Sequence, residues 1–249
     1  MQLKIELDID PRKLLLVLVT IELIFLMIDG LFNCCWFGAS QDLKVLFDIT
    51  REANLPTWFS STQAVVVGLL AWVYARQREG LKPQQAATGW YVIAVFFSYL
   101  GIDDAAQLHE RVATALSNSA ESGETNSWLV DQFLGFSSYY WQFLFVPVFG
   151  AVALYMFLFL YRVFDGWKKL FIFSSGIGLF VVAVVLDYIE GVDQWVIWMA
   201  DNSFYIESQI THFLRALEEF LEMFGTSLIL YSFLLAGPQG DARAKSCQS

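Results

Sequence analysis

Residues 90–112 read WYVIAVFFSYLGIDDAAQLHERV. The first half is apolar on every side of a helix. The second half brings Asp103, Asp104, His109, Glu110 and Arg111 within nine positions. A helix that is hydrophobic all round lies in a large core or in lipid. Ionisable groups at the end of such a helix turn toward the interior of a bundle or a water-filled cavity. The stretch therefore predicts a membrane-crossing helix that delivers its titratable groups to a site between helices.

Apolar runs of the same length recur along the chain. A bilayer core needs about 20 apolar residues of helix. Six spans meet that need, at 14–37, 57–75, 87–116, 137–163, 168–190 and 206–235. The second begins after Pro56, a residue suited to the first turn of a helix. Hydrophobic residues make up 57% of the chain and aromatic residues 17%, against about 45–50% apolar in soluble domains. Lipid accommodates that excess as solvent. Long continuous runs favour helices over barrel strands, and in lipid only these two satisfy the backbone. The predicted fold is all-α: one integral membrane domain over 1–249, a polytopic bundle of about six transmembrane helices.

Orientation follows from the basic residues. Lys4, Arg12, Lys13, Arg76, Arg78, Lys82, Arg162, Lys168, Lys169, Arg243 and Lys245 fall on one side, 11 of the 15 in the chain. That side is predicted to be cytoplasmic, with both termini on it, in a multi-pass protein of the cell inner membrane. The opposite side holds 17 of the 25 carboxylates. A formal net charge of −10 excludes a nucleic-acid partner, whose phosphates need a basic face. The expected partners are membrane lipid and other membrane subunits. Cys34, Cys35 and Cys247 have no disulfide or metal-knuckle spacing.

The acidic side concentrates candidates for chemistry. Asp103 and Glu110, seven apart, are expected on one face of a continuous third helix. Asp187 and Glu190 close the fifth span. His212, Arg215, Glu219 and Glu222 follow a helical stripe on the sixth, with Glu218 at its edge. Glu22 and Asp29 share a face of the first span, and Gly30 predicts close helix contact there. Gly176 and Gly178 do the same for the fifth. Carboxylates and imidazoles converging from several helices are the ligand inventory of bundle metal sites. Such a set suits zinc, iron or manganese. The expected ligands are His109, Glu110, Glu190, His212, Glu219 and Glu222, with Asp104 as a catalytic base. Two other readings stand beside this one. Arg111 and Arg215 can tie the acids into interhelical ion pairs, or the cluster can relay protons or hold another ligand. The segment LFDITREANLPTWFSS, 46–61, reads either as a lid on the acidic site or as an interfacial helix and turn.

Three segments, LFDITREANLPTWFSS, IDDAAQLHE and LEEFLEMFGTSLILYSFL, together resemble a group of uncharacterised multi-spanning bacterial membrane proteins. The resemblance implies that Asp103, Asp104, His109, Glu110, Glu219 and Glu222 belong to a shared pattern. It implies no reaction. The alkaline ceramidase-like membrane hydrolases differ, because they use three histidines with a late His-x-x-x-His, and this chain has two histidines without that spacing. The expected function is metal binding in the membrane, extending to metal-dependent chemistry on a hydrophobic substrate. The alternatives are an accessory subunit of a larger membrane complex and a cation- or proton-coupled transporter.

Overall fold

A computed structural model describes residues 10–33, 40–80, 85–121, 128–203 and 205–237. Cys34, Cys35, Cys247, Lys4, Lys82, Arg243, Lys245 and most of the polar 117–127 segment lie outside the described residues. Among the described residues all regular structure is helical. The long helices are α1 (Pro11–Asn33), α3 (Leu55–Arg78), α4 (Gln85–Ala106), α7 (Tyr140–Val163), α8 (Trp167–Glu190) and α10 (Glu207–Ala236). Shorter helices join them: α2 (Gln41–Phe47), α5 (Leu108–Glu121), α6 (Trp128–Leu134) and α9 (Asp193–Asp201). Five helices are individually long and apolar enough to cross a membrane, or six if the bent pair α4–α5 counts as one span.

The third predicted span is not one continuous helix. It breaks at Gln107, and α5 leaves α4 at 67°. Gln107 has φ +51, a left-handed conformation that costs a side chain about 1–2 kcal/mol. Asp103 holds the break closed. Its Oδ1 accepts the His109 backbone N–H at 2.9 Å and its Oδ2 meets His109 Nδ1 at 2.7 Å. Asp103 and Glu110 therefore do not share a face of one helix. α5 turns aside and packs on α7.

α3 pairs along α4 and α8 along α10, while α10 also touches α1, α3 and α9. Glycine permits the α8–α10 approach. A Cβ on Gly176 would stand 2.8 Å from Gly225 O, and one on Gly225 would stand 2.9 Å from Gly176 O. Among the described residues nothing lies within 4 Å of a Cβ built on Gly178 or Gly30, so of the glycine pair it is Gly176 that carries the close packing.

The bundle has two unlike ends. At the end carrying Arg78 and Arg162 the interior is aromatic. Trp90 is fully buried and edge-on to Tyr74, Phe159 and Phe233 at 5.0–5.8 Å. The Tyr74 hydroxyl donates to Phe233 O at 2.9 Å, which satisfies a phenol inside an apolar core. The opposite end is acidic inside. α1 shows the inversion most plainly, since its two buried residues are Glu22 and Asp29 while Leu16, Val17, Leu23 and Met27 are exposed.

Candidate functional site

At the acidic end, α3, α4, α5, α7, α8 and α10 enclose a cavity of about 400 Å³. Eight carboxylates line it: Glu52, Asp103, Asp104, Glu110, Asp187, Glu218, Glu219 and Glu222. His109 joins them, and no lysine or arginine occurs among the described lining residues. Most of the remaining wall is apolar, with Phe97, Phe149, Met156 and Phe180 toward the aromatic core.

Local structure sets each of these groups in place. Glu52 comes from a stitched turn between α2 and α3. Asp48 Oδ1 accepts the Thr50 N–H and hydroxyl, at 3.2 and 2.6 Å. Asn54 Nδ2 donates to Asp48 O and Arg51 O at 2.6 and 2.8 Å. Asn54 Oδ1 accepts Thr57 N–H at 3.1 Å, capping α3. This turn carries Glu52 onto the cavity, so segment 46–61 is a short helix and turn that also supplies an acid. Glu52 Oε2 is shut away from solvent without a hydrogen-bond partner among the described residues. Burial, then the neighbouring Asp104 and Glu110 carboxylates, push the Glu52 carboxyl up to about 7.

His109 is held on two sides. Asp103 takes its Nδ1, and its ring lies edge-on to Trp141 at 4.7 Å and Phe145 at 6.2 Å. In the neutral tautomer that donates Nδ1–H to Asp103, Nε2 would keep its lone pair for the cavity. This carboxylate–imidazole arrangement is the one that orients a metal-ligating histidine. Asp104 Oδ2 accepts the Ser61 hydroxyl at 2.8 Å. Asp187 Oδ2 accepts Gln142 Nε2 at 2.7 Å. The carboxylates of Glu110, Glu218, Glu219 and Glu222 have no hydrogen-bond or ion-pair partner among the described residues.

The structure thus brings His109, Glu110, Glu219, Glu222 and Asp104 to one cavity and leaves Glu190 and His212 outside it. Glu190 Oε1 is bound by Arg215, Nε at 3.1 Å and a terminal nitrogen at 2.9 Å, and Glu190 Oε2 accepts the Tyr139 hydroxyl. Burial and the Glu190 carboxylate raise the Tyr139 phenol above its ordinary range. His212 turns to α1, where Nε2 meets Asp29 Oδ2 at 2.9 Å. The reason is depth along α10 and not angle. Glu219 lies only about 20° round from His212 and Glu222 about 20° round from Arg215, but each stands seven residues, about 10 Å, further along the helix, so the first turns of α10 meet Asp29 and Glu190 and the next turns meet the cavity.

His212 belongs instead to a second group. Asp29, Asp48 and His212 each offer a ligand atom within 4.8 Å of the other two, a set able to hold a metal. Each is already engaged: Asp29 Oδ1 by Asn33 and the Ile49 N–H, Asp29 Oδ2 by His212, and Asp48 Oδ2 by Arg51 at 3.0 Å. The sequence signal for it was Asp29, one of two acids, with Glu22, in a mostly apolar span. A third polar centre lies deeper. Glu22 Oε1 accepts the Ser227 hydroxyl at 2.6 Å and Gln63 Nε2 at 2.8 Å.

The chain belongs to the family described as a domain of unknown function, DUF8692, whose match covers residues 14–236. No curated protein and no solved structure matches the chain.

Proposed function

We propose that this chain is an integral membrane protein whose acidic cavity binds a divalent cation and presents it to a hydrophobic substrate. The single observation that carries the reading is the imbalance of the cavity wall. Eight carboxylates and one Asp103-anchored imidazole face a common space with no lysine or arginine among the described lining residues. Like charges lining one small cavity need protons or cations among them. His109, Glu219 and Glu222 are the ligands in this reading, from α5 and α10, with Glu52, Glu110 and Glu218 beside them and Asp104 as the base. Among the described residues their ligand atoms are not already gathered within 4.8 Å as those of Asp29, Asp48 and His212 are, so the cation has to draw them together. When bound, the cation would activate water or polarise a substrate oxygen. Zinc, iron and manganese suit this donor set. Exposed aromatics support the membrane setting: Trp58, Trp195 and Trp198 ring the acidic end, and Tyr161 and Trp167 the basic end. In this reading the basic end is cytoplasmic, in the inner membrane.

A second reading applies to the residues outside the cavity. Arg215–Glu190–Tyr139 joins α10, α8 and the start of α7, and His212–Asp29 joins α10 to α1. These are structural ion pairs, and the Asp29–Asp48–His212 group is the alternative cation site.

Elemental analysis of the purified chain tests the proposal. One transition-metal ion per chain is expected. Glu219→Gln with Glu222→Gln is expected to remove it, and His212→Ala to leave it. Wild-type protein without bound metal overturns the cavity reading. Metal lost only with His212→Ala moves the site to the Asp29 group.

A further inference from the structure

Residues lining the cavity are exposed on two sides of opposite character, which we read as two mouths. Glu110, at its acidic rim, is exposed. On the other side Gly150 of α7 and Val181 and Val185 of α8 line the cavity and are also exposed. These three lie well inside the 24-residue helices α7 and α8, at a depth where a membrane protein meets acyl chains and not water. α7 is only loosely held to α4 and α8, in contrast to the close α3–α4 and α8–α10 pairs. Between the mouths the wall changes from Glu52, Glu218, Glu219 and Glu222 to Phe97, Phe149, Met156 and Phe180. A volume of about 400 Å³ lies within the range of about 300–1,000 Å³ typical of small-molecule sites.

An amphiphile fits this gradient, and charge selects its head. A single divalent cation leaves most of the eight carboxylates uncompensated. Glu52 Oε2 is a buried acceptor with no donor among the described residues. The cavity end therefore calls for a head group that donates several hydrogen bonds and carries positive charge. A primary ammonium does both, with three donors on one atom. A carboxylate or phosphate head meets like charge, and a hydroxyl head supplies one donor.

We infer that the cavity is a binding site for a long-chain primary amine, which passes sideways between α7 and α8, lays its chain along Phe149 and Phe180, and sets its ammonium among Glu52, Glu218, Glu219 and Glu222. The inference shares the cavity with the cation reading and does not depend on the metal.

The test uses the full chain in phosphatidylcholine nanodiscs with a metal chelator present. The probe is dodecylamine bearing a photoactivatable diazirine in its chain, and labelled peptides are mapped by mass spectrometry. Labelling is expected within 146–156 and 177–185, competed by unlabelled dodecylamine at least tenfold better than by dodecanol or dodecanoate. Glu219→Gln with Glu222→Gln is expected to abolish the tenfold preference while chain labelling persists. Val181→Trp, which narrows the mouth, is expected to lower labelling by every chain. Glu219→Gln alone, checked for a wild-type melting curve, guards against misfolding of the double variant. Equal competition by the alcohol overturns the inference, as does labelling confined to outward positions such as Leu16 and Leu23. Metal content measured on the same protein without chelator separates the two ideas. Labelled protein without metal sinks only the cation reading, and metal-loaded protein without cavity labelling sinks only this one.

Discussion

Glu52 sits in a turn between two helices, yet its carboxyl oxygen is buried against other carboxylates. Burial is the larger cause of its upward shift, and Asp104 and Glu110 add to it. The sign of the stability effect follows. A carboxyl raised from about 4.5 unfolded to about 7 folded stabilises the fold below about 4.5 and loses that stabilisation as pH rises through about 7. Replacing it with an amide removes the penalty of ionisation. Glu52→Gln is therefore expected to be more stable than wild type above pH 7, by at most about 3 kcal/mol, with the advantage vanishing toward pH 4. Thermal melts of both proteins across that range check it, and parallel pH profiles would contradict the electrostatic account. Arg215 makes the opposite kind of contact. Its guanidinium is half exposed, its partner Glu190 is buried, and Tyr139 closes the triangle. That arginine was legible in the sequence as an ion-pair candidate, but its choice of Glu190 was not, because spacing along a helix fixes a face and not the neighbour that the face meets.

At the scale of helices the run lengths carried most of the information. The predicted spans at 57–75, 137–163, 168–190 and 206–235 lie on α3, α7, α8 and α10 within a few residues, since a long apolar helix is written directly in the run of residues that forms it. The break at Gln107 was not legible. No proline or glycine marks that position, and AAQLHERV continues a helical pattern. The side chain of Asp103 decides it by offering both oxygens to His109, a competition that local propensity does not display. Asp103→Ala is expected to free the first turn of α5 and to cost about 0.5–2 kcal/mol, the usual range for a lost helix cap. Asp103→Asn keeps an acceptor for the His109 N–H and is expected to cost less than half as much. Chemical unfolding in mixed micelles measures both. Equal losses would show that the cap is not what holds the bend.

For the whole molecule the deciding feature is polarity along the bundle axis. A 24-residue helix such as α3 or α8 is about 36 Å long, enough to cross a hydrocarbon core of about 30 Å. The aromatic interior occupies one end of that length and the acids the other. The acids were visible as a concentration of charge on one side, but their division into a cavity, an Asp29–Asp48–His212 group and a Glu22 centre depends on how α10 is wedged between α1, α3 and α8, which a single sequence does not encode in any local pattern. Orientation is a separate physical question, governed by where Lys and Arg sit during insertion. Arg76, Arg162, Lys168 and Lys169 cluster at the aromatic end, so that end is expected to stay in the cytoplasm. In a cysteine-free background, cysteines at Asp42 and Ser203, both exposed at the acidic end, should react with a membrane-impermeant maleimide in intact cells. A cysteine at Asp165, exposed in the loop between α7 and α8, should react only after lysis. Labelling of position 165 in intact cells would invert the molecule. The acidic cavity would then open to the cytoplasm, where the cations and amines available to it are those of the cell interior.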